Sequence, residues 1–357
     1  MENKTDKIYQ NPFLSIILPC YNEEAILEAN LNTVINYLKS KEDKYIWEIL
    51  IINDGSKDKT REIADGFEKQ NPNIRVIHHP TNLNLGNALQ TGFCNSRGDI
   101  IVVLDIDLSY SADHIELLVD KLVETSGDIV VASPYMKGGK VTDVPFTRRI
   151  MSKWVNRFMS FAAQDKFHTF TGMVRAYRTS FIRSVNLKTK DYEINPEIMY
   201  KAMILRARIY EIPAHLDWTE QNKFTEKRIS SMRVVRGFFS GLMSAFIFRP
   251  YIFFIIIGSI VMILSLYELV WLLFDTLADL NLSLASGISN SFSASLAEQF
   301  SKNPQSFLVG GIAFLAAIQF LSIGFLSLQN KRYFEELFHL GTSLKKQGYA
   351  NKSESKF

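Results

Sequence analysis

The sequence is short of several things, and each shortage narrows what the chain can be. Cysteine occurs only twice in 357 residues, at Cys20 and Cys94, and neither falls in a metal-ligand spacing. Both are expected to be inert thiols of the core. The six histidines carry no metal signature. His78 and His79 are adjacent, but neighbouring strand residues point to opposite faces and cannot ligate one ion together. An excess of one charge is missing too. The formal net charge is only +3, with no arginine-rich stripe interleaved with aromatics, so nucleic acid is excluded as a partner. Met1 to Asn11 holds no apolar leader stretch, and the front of the chain is expected to stay in the compartment of its synthesis. Charge itself becomes scarce between Phe238 and Leu328, whereas Ser15 to Arg236 has the mixture of a soluble α/β protein.

What is present in the front part alternates. Short apolar runs at Leu14–Leu18, Trp47–Ile52, Ile74–His78, Ile100–Leu104 and Asp128–Ala132 read as strands. Helical spacing fills Ala25–Leu38 and the stretches 57–70, 86–96 and 114–124. This alternation predicts βαβ units and a mostly parallel sheet, covered on both faces because its strands are continuously apolar. A helix over Val144–Phe161 and an edge strand over Ile209–Ala214, which contains Pro213, are expected further on. In parallel sheets ligands bind outside the carboxyl ends of the strands. Tyr21-Asn22-Glu23, then Asp54, then Asp105 and Asp107 stand at three such ends, which predicts one site.

The apolar rear predicts a membrane anchor. Arg228–Phe248 passes from basic residues to aromatics, as a helix lying in the interface does. Tyr251–Phe274 has one acid, Glu268, and Ser306–Leu328 has no charge; each is long enough to span a bilayer as a helix. Basic residues flank both spans on the outer sides, so the positive-inside rule puts the front domain and the C-terminus in the cytoplasm and the 275–305 loop outside. The expected organisation is a polar tail over 1–12, a catalytic domain over 13–225 and an interfacial helix over 226–249. A two-span region follows over 250–330 (spans about 250–274 and 306–328), then a tail over 331–357. Two lone spans could pack with those of a second copy, giving a homo-oligomer.

Asp105-Ile106-Asp107 follows an apolar strand directly. Two carboxylates so spaced at a strand terminus can converge on a hard cation, Mg²⁺ or Mn²⁺. That cation would bridge the two phosphates of a nucleotide donor.

Four segments then resemble one family in order. Leu18-Pro19-Cys20-Tyr21-Asn22-Glu23-Glu24 is similar to the opening of family-2 glycosyltransferases, which have the GT-A nucleotide-sugar-binding fold. Ile51-Ile52-Asn53-Asp54-Gly55-Ser56 resembles their second signature, Asn84-Leu85-Gly86 through Gly92 their third, and Gly98-Asp99 through Leu108 their metal-binding strand. The subgroup most resembled is the polyprenyl-phosphate (dolichyl-phosphate-type) mannosyl- and glucosyltransferases, some with two C-terminal transmembrane helices. The resemblance implies that Pro19, Tyr21, Glu23, Asp54 and Ser56 bind the nucleotide sugar, Asp54 at its base. Asp105 and Asp107 would hold diphosphate and metal. Arg148, Arg149, Ser152 and Arg175 would meet the acceptor, though Arg148 and Arg149 could equally be a lipid-facing basic pair. Glu197 falls where the subgroup has an acid facing the acceptor.

The chain departs from the family pattern at Asn53 for an aspartate of the nucleotide pocket, Asn87 for a lysine, Ser109 for a metal-contacting glutamine, and Pro134 for an arginine before Tyr135. Asp217 through Ser231 stands for a loop usually rich in arginine, glycine, serine and lysine. Together these bear on the acceptor more than on the reaction. The expected reaction is inverting transfer of one sugar from a UDP- or GDP-linked donor to a membrane polyprenyl phosphate. A lipid hydroxyl acceptor would need a base, for which Glu197 is the candidate. A non-catalytic scaffold keeping the fold is the reading from another class. Processive synthesis lacks its Gln-x-x-Arg-Trp motif here.

Overall fold

A computed structural model describes residues 11–163, 167–219, 250–285 and 291–354. The chain divides into two compact units, residues 1–245 with 338–357, and residues 246–337. The interfacial helix expected over 226–249 lies outside the described residues.

The first unit is built on a seven-stranded sheet. In chain order its main elements are β1 (Phe13–Cys20), α1 (Leu27–Lys39), β2 (Ile46–Asn53), α2 (Thr60–Gln70), β3 (Ile74–His78), α3 (Leu85–Asn95), β4 (Ile100–Val103), α4 (His114–Glu124) and β5 (Ile129–Ser133). Then come β6 (Lys140–Thr142), α5 (Phe146–Ala163), β7 (Arg175–Arg178), α6 (Thr179–Ser184), α7 (Ile194–Ile204), β8 (Ile209–Pro213) and β9 (His215–Asp217). The sheet order is β3-β2-β1-β4-β7-β5-β8, and β6 pairs with β9 in a two-stranded sheet of its own. All neighbours in the large sheet run parallel except β7, which is antiparallel to both β4 and β5. β8 closes one edge, where Pro213 leaves no internal ladder donor missing.

Alternation along each strand feeds two cores, one per face. Leu14, Ile16, Leu18, Ile49, Ile51, Ile100 and Val102 pack with Leu27, Leu31, Val34 of α1 and Ile115, Leu118, Leu122 of α4. Ile17, Leu50, Ile52, Ile101 and Val103 pack the other way, with Leu89 and Phe93 of α3, Ile182 of α6 and Ile198 and Met199 of α7. Each such side chain is nearly water-free and contributes about 1.5–3 kcal/mol. Cys20 sits in this core, its thiol pushed far up by burial, whereas Cys94 is exposed on α3. The sequence expectation of two buried thiols is corrected there: Cys94 falls on the outer side of an amphipathic helix.

The second unit holds α8 (Pro250–Ala285), α9 (Phe292–Lys302) and the first part of α10 (Pro304–Glu354). Two stretches, Pro250–Ala285 and Pro304–Ser343, are long and apolar enough to cross a membrane, their most apolar 18 residues having mean hydropathy 2.4 and 2.1. They run antiparallel in close contact. A Cβ on Gly258 would lie 2.9 Å from Leu321, and one on Gly324 2.7 Å from Ile255, so glycine lets the backbones approach. Ser265 donates to the Gly310 carbonyl at 2.9 Å. α9 was not expected from its Ser/Asn-rich surroundings; Ser291 caps it by accepting from the Ala294 amide, and Gln299 and Lys302 bond Asp275 and Asp279 of α8.

Candidate active site

The carboxyl ends of β1, β2 and β4 share one rim. The chain leaving β1 is stapled to the chain leaving β2: the Asn22 amide donates to Ser56 Oγ (3.0 Å), the Glu23 amide to Thr60 Oγ1 (2.8 Å), and the Lys57 amide to Asn22 Oδ1 (2.8 Å). Asn22 takes a left-handed φ of 56°, which asparagine tolerates better than most residues. Gly55 follows Asp54 with φ 67°, and any Cβ there would lie 2.3 Å from the Thr81 carbonyl carbon. The turn after β4 is equally constrained. Leu108 has φ 49°, its amide donates to the Asp105 carbonyl, and the Ser109 amide donates to Asp107 Oδ1 at 2.9 Å. That Asx-type turn bends the Asp-Ile-Asp segment so that both carboxylates face the rim.

The result is a cavity of about 540 Å³ lined by Pro19, Tyr21, Glu23, Asp54, Asp105, Asp107, Ser109 and Tyr110 on the strand-end side. Its other wall holds Tyr135, Arg148, Ser152, Thr169, Thr171, Asp191, Tyr192, Asn195 and Trp218. Carboxylates from three separate strand ends therefore share one space of the size of a small-ligand site.

Burial, then the charges of Asp107 and Glu23, push the Asp105 carboxyl well above the usual carboxylate range. Burial also raises Asp107, although the Ser109 amide and the Arg148 charge pull the other way. Negative charge is thus gathered where the sheet cannot stabilise it. Among the described residues no cluster of three His, Cys, Asp or Glu side chains could hold a metal by itself. Two carboxylates of all-oxygen character fit Mg²⁺ or Mn²⁺, which bind through one or two carboxylates and complete their shell with phosphate and water.

Asp54 is locked from behind. Its Oδ1 accepts from His79 Nδ1 at 2.7 Å and from the Leu83 amide at 2.9 Å. His79 Nε2 in turn meets Thr91 Oγ1 at 2.9 Å. The ring thus bridges Asp54 and Thr91, one nitrogen to each. His78 faces the other way, toward Asn53 and Asp65. Across the cavity Arg148 stacks on Trp218, its guanidinium carbon 4.2 Å from the ring centroid.

Not every residue expected at the site reaches it. Glu197 does not line the cavity. It is buried, pairs with Lys201 Nζ at 2.5 Å and accepts from the amides of Lys188 and Thr189. In this arrangement the Glu197 carboxylate ties the loop at Lys188 and Thr189 to α7. Arg175 is fully buried at the start of β7, donating to the carbonyls of Phe170 and Asn195. Ser56 is a staple between loops, and Arg149 points to solvent from α5. Asp191, Tyr192 and Trp218 were missed by the sequence reading. The one signal was two aromatics in otherwise polar stretches flanking predicted elements.

Residues 15–185 match the model of the family described as Glycosyl transferase family 2. The chain carries a family-2 glycosyltransferase domain.

This transferase domain is similar to a dolichyl-phosphate beta-glucosyltransferase of Trichomonas vaginalis, 30% identical over 216 residues, 58% of this chain and 66% of that protein. A dolichol-phosphate mannosyltransferase of Pyrococcus furiosus is 30% identical over 203 residues, 56% of this chain and 55% of that protein. The chain spans less than two thirds of the length of these relatives. Among solved structures, glucosyl-3-phosphoglycerate synthase from Mycobacterium tuberculosis in complex with UDP superposes with a TM-score of 0.51 at 16% identity, covering 69% of this chain and 83% of that one. The fold of the transferase domain is of the GT-A kind, with a mostly parallel central sheet, as expected.

Proposed function

We propose that the protein moves one sugar from a nucleotide diphosphate sugar, UDP- or GDP-linked, to a polyprenyl phosphate in a bilayer, with inversion at the anomeric carbon. The observation that carries this reading is the single cavity with Asp54, Asp105 and Asp107 on one wall and a stacked arginine on the other. The names of the relatives from Trichomonas vaginalis and Pyrococcus furiosus point to the same acceptor class.

Asp54, held rigid by His79, would meet the base, with Pro19, Tyr21 and Glu23 around the nucleoside. Asp105 and Asp107 would hold the divalent ion against the donor. The ion, Mg²⁺ or Mn²⁺, would neutralise charge growing on the leaving nucleotide diphosphate. Arg148 presents a planar fork whose orientation Trp218 fixes, suited to a phosphate acceptor. A phosphate is already ionised and needs no proton removed before it attacks. The commitment of Glu197 to Lys201 favours this acceptor over a lipid hydroxyl, for which that residue was the base. Direct attack from the face opposite the leaving group inverts the centre without a protein nucleophile. α8 and α10 would cross the bilayer, the transferase domain and C-terminus lying in the cytoplasm and the spans pairing between copies.

The test uses the full chain in nanodiscs with Mn²⁺, radiolabelled UDP-glucose or GDP-mannose, and polyprenyl phosphate. Label should enter the lipid fraction, EDTA should abolish it, and Asp107→Asn should lower it at least about 100-fold. Tight nucleotide binding without transfer to any lipid would overturn the reading in favour of a scaffold.

A further inference from the structure

α5 carries two kinds of work on its two sides. Arg148 and Ser152 line the cavity, and Asn156 and Met159 are buried. The opposite arc is largely open to solvent among the described residues, with the Lys153 ammonium 6.0 Å from the centroid of the Tyr135 ring. Phe146 (75% exposed), Ile150 (38%) and Trp154 (67%), four residues apart, form one stripe of large apolar side chains open to solvent. Arg149, Lys153 and Arg157, also four apart, are exposed along the adjoining stripe. At 3.6 residues per turn the two stripes occupy one continuous arc of about 140°. From Val144 to Ala163 the sequence contains four basic residues and no acid.

We propose that this arc of α5 docks on the surface of an anionic bilayer. Phe146, Ile150 and Trp154 enter the boundary between headgroups and acyl chains, and Lys153 and Arg157 sit among lipid phosphates. Apolar and aromatic residues beside an all-basic stripe are what an interfacial helix needs. A soluble surface would leave three large apolar side chains in water for no return. Charge selects the occupant: an arc without one carboxylate complements anionic headgroups, and the same chain holds two helices apolar enough to be in a bilayer. Because Arg148 and Ser152 stand on the cavity side of this helix, docking brings the cavity mouth to the depth at which a lipid phosphate lies. The inference needs the chain to be embedded in a bilayer; it does not need the transferase reading.

The experiment places an environment-sensitive dye at Thr147→Cys, an exposed neighbour of the stripe, in the full chain with the exposed Cys94 changed to serine. The protein is reconstituted in nanodiscs containing about one third anionic lipid. Emission should be blue-shifted and quenched by lipids spin-labelled near the headgroup. A control dye at Glu124→Cys, on α4, should behave as in water. Lys153→Glu/Arg157→Glu should cut the docked fraction at least about 10-fold, since each basic residue at such a surface is worth about 5-fold. Phe146→Ser/Ile150→Ser/Trp154→Ser should do the same with an unchanged unfolding midpoint. Emission from Thr147→Cys matching the control would overturn the proposal. So would shielding without lipid quenching that rises with protein density, which would mean that a second copy covers the arc. Sugar transfer is not read, so its failure leaves this result unaffected.

Discussion

The most decisive prediction concerns Glu197. Its carboxylate and the Lys201 ammonium are both nearly inaccessible and 2.5 Å apart. Burial opposes ionisation, but Lys201 and the Thr189 amide hold the Glu197 carboxyl below its ordinary value. Glu197→Gln keeps an oxygen for the Lys188 and Thr189 amides but leaves the buried ammonium without its counter-charge, held by the Asn186 carbonyl and the face of Phe338. Breaking a buried pair from one side costs about 3 kcal/mol. At about 2–4 °C per kcal/mol for a domain of this size, the unfolding midpoint should drop by about 6–12 °C. Lys201→Met added to Glu197→Gln removes the stranded charge and leaves the amide acceptors in place. The double variant should recover most of that loss, because replacing both partners of a buried pair is often near neutral. Thermal unfolding of the four proteins of this cycle, with sugar transfer at 20 °C, checks it. Glu197→Gln should transfer sugar at a near-normal rate while folded. An unfolding midpoint unchanged in Glu197→Gln, with kcat down about 100-fold and not restored by Lys201→Met, would refute the reasoning and return Glu197 to the chemistry.

Three further outcomes are expected. His79→Phe, by freeing Asp54 Oδ1 of its ring partner, should weaken nucleotide binding about 10-fold by calorimetry with kcat little changed. Gly86→Ala would put a Cβ 2.4 Å from the Lys190 carbonyl carbon; it should cost about 1–3 kcal/mol and displace the chain bearing Asp191 and Tyr192, while Gly66→Ala, with nothing within 4 Å, should stabilise slightly, both read as unfolding midpoints. Lys41 and Lys44 lower the Glu116 carboxyl from 4.5 to about 2, so its contribution is full above pH 4.5 and is lost as pH falls toward 2. Glu116→Gln should therefore be less stable than the parent at pH 7, by about 1 kcal/mol for so exposed a cluster, and the two stability curves should converge near pH 2.

Most of the sheet was legible because buried parallel strands spell themselves out: IILP, ILII and IIVV are runs that solvent would not tolerate. The rim carboxylates were legible because a charge directly after such a run has nowhere to sit except at the strand end. β7 was not. Its sequence Arg-Ala-Tyr-Arg reads as polar, and Arg175 becomes a core residue only because the carbonyls of Phe170, in the loop just before it, and of Asn195 on α7 receive its guanidinium. The burial of Glu197 was not legible for a related reason. Its partner Lys201 stood four residues away, an ordinary surface spacing, and nothing in the sequence told that both would be covered. β6 and β9, at three residues each, are too short to show any period.

β7 has a further consequence. Its reversal sets its first residue, Arg175, beside Val103 at the end of β4, so the chain entering β7 arrives at the same rim that the chain leaving β4 departs from. One half of the cavity is therefore made of exits from residues 13–110, and the other half largely of a long excursion between β5 and β7 that returns to that rim. The two halves can diverge separately. A lineage could exchange the whole excursion for another, reshaping that half of the cavity, while the strand-end half, proposed above to hold the donor, is inherited intact.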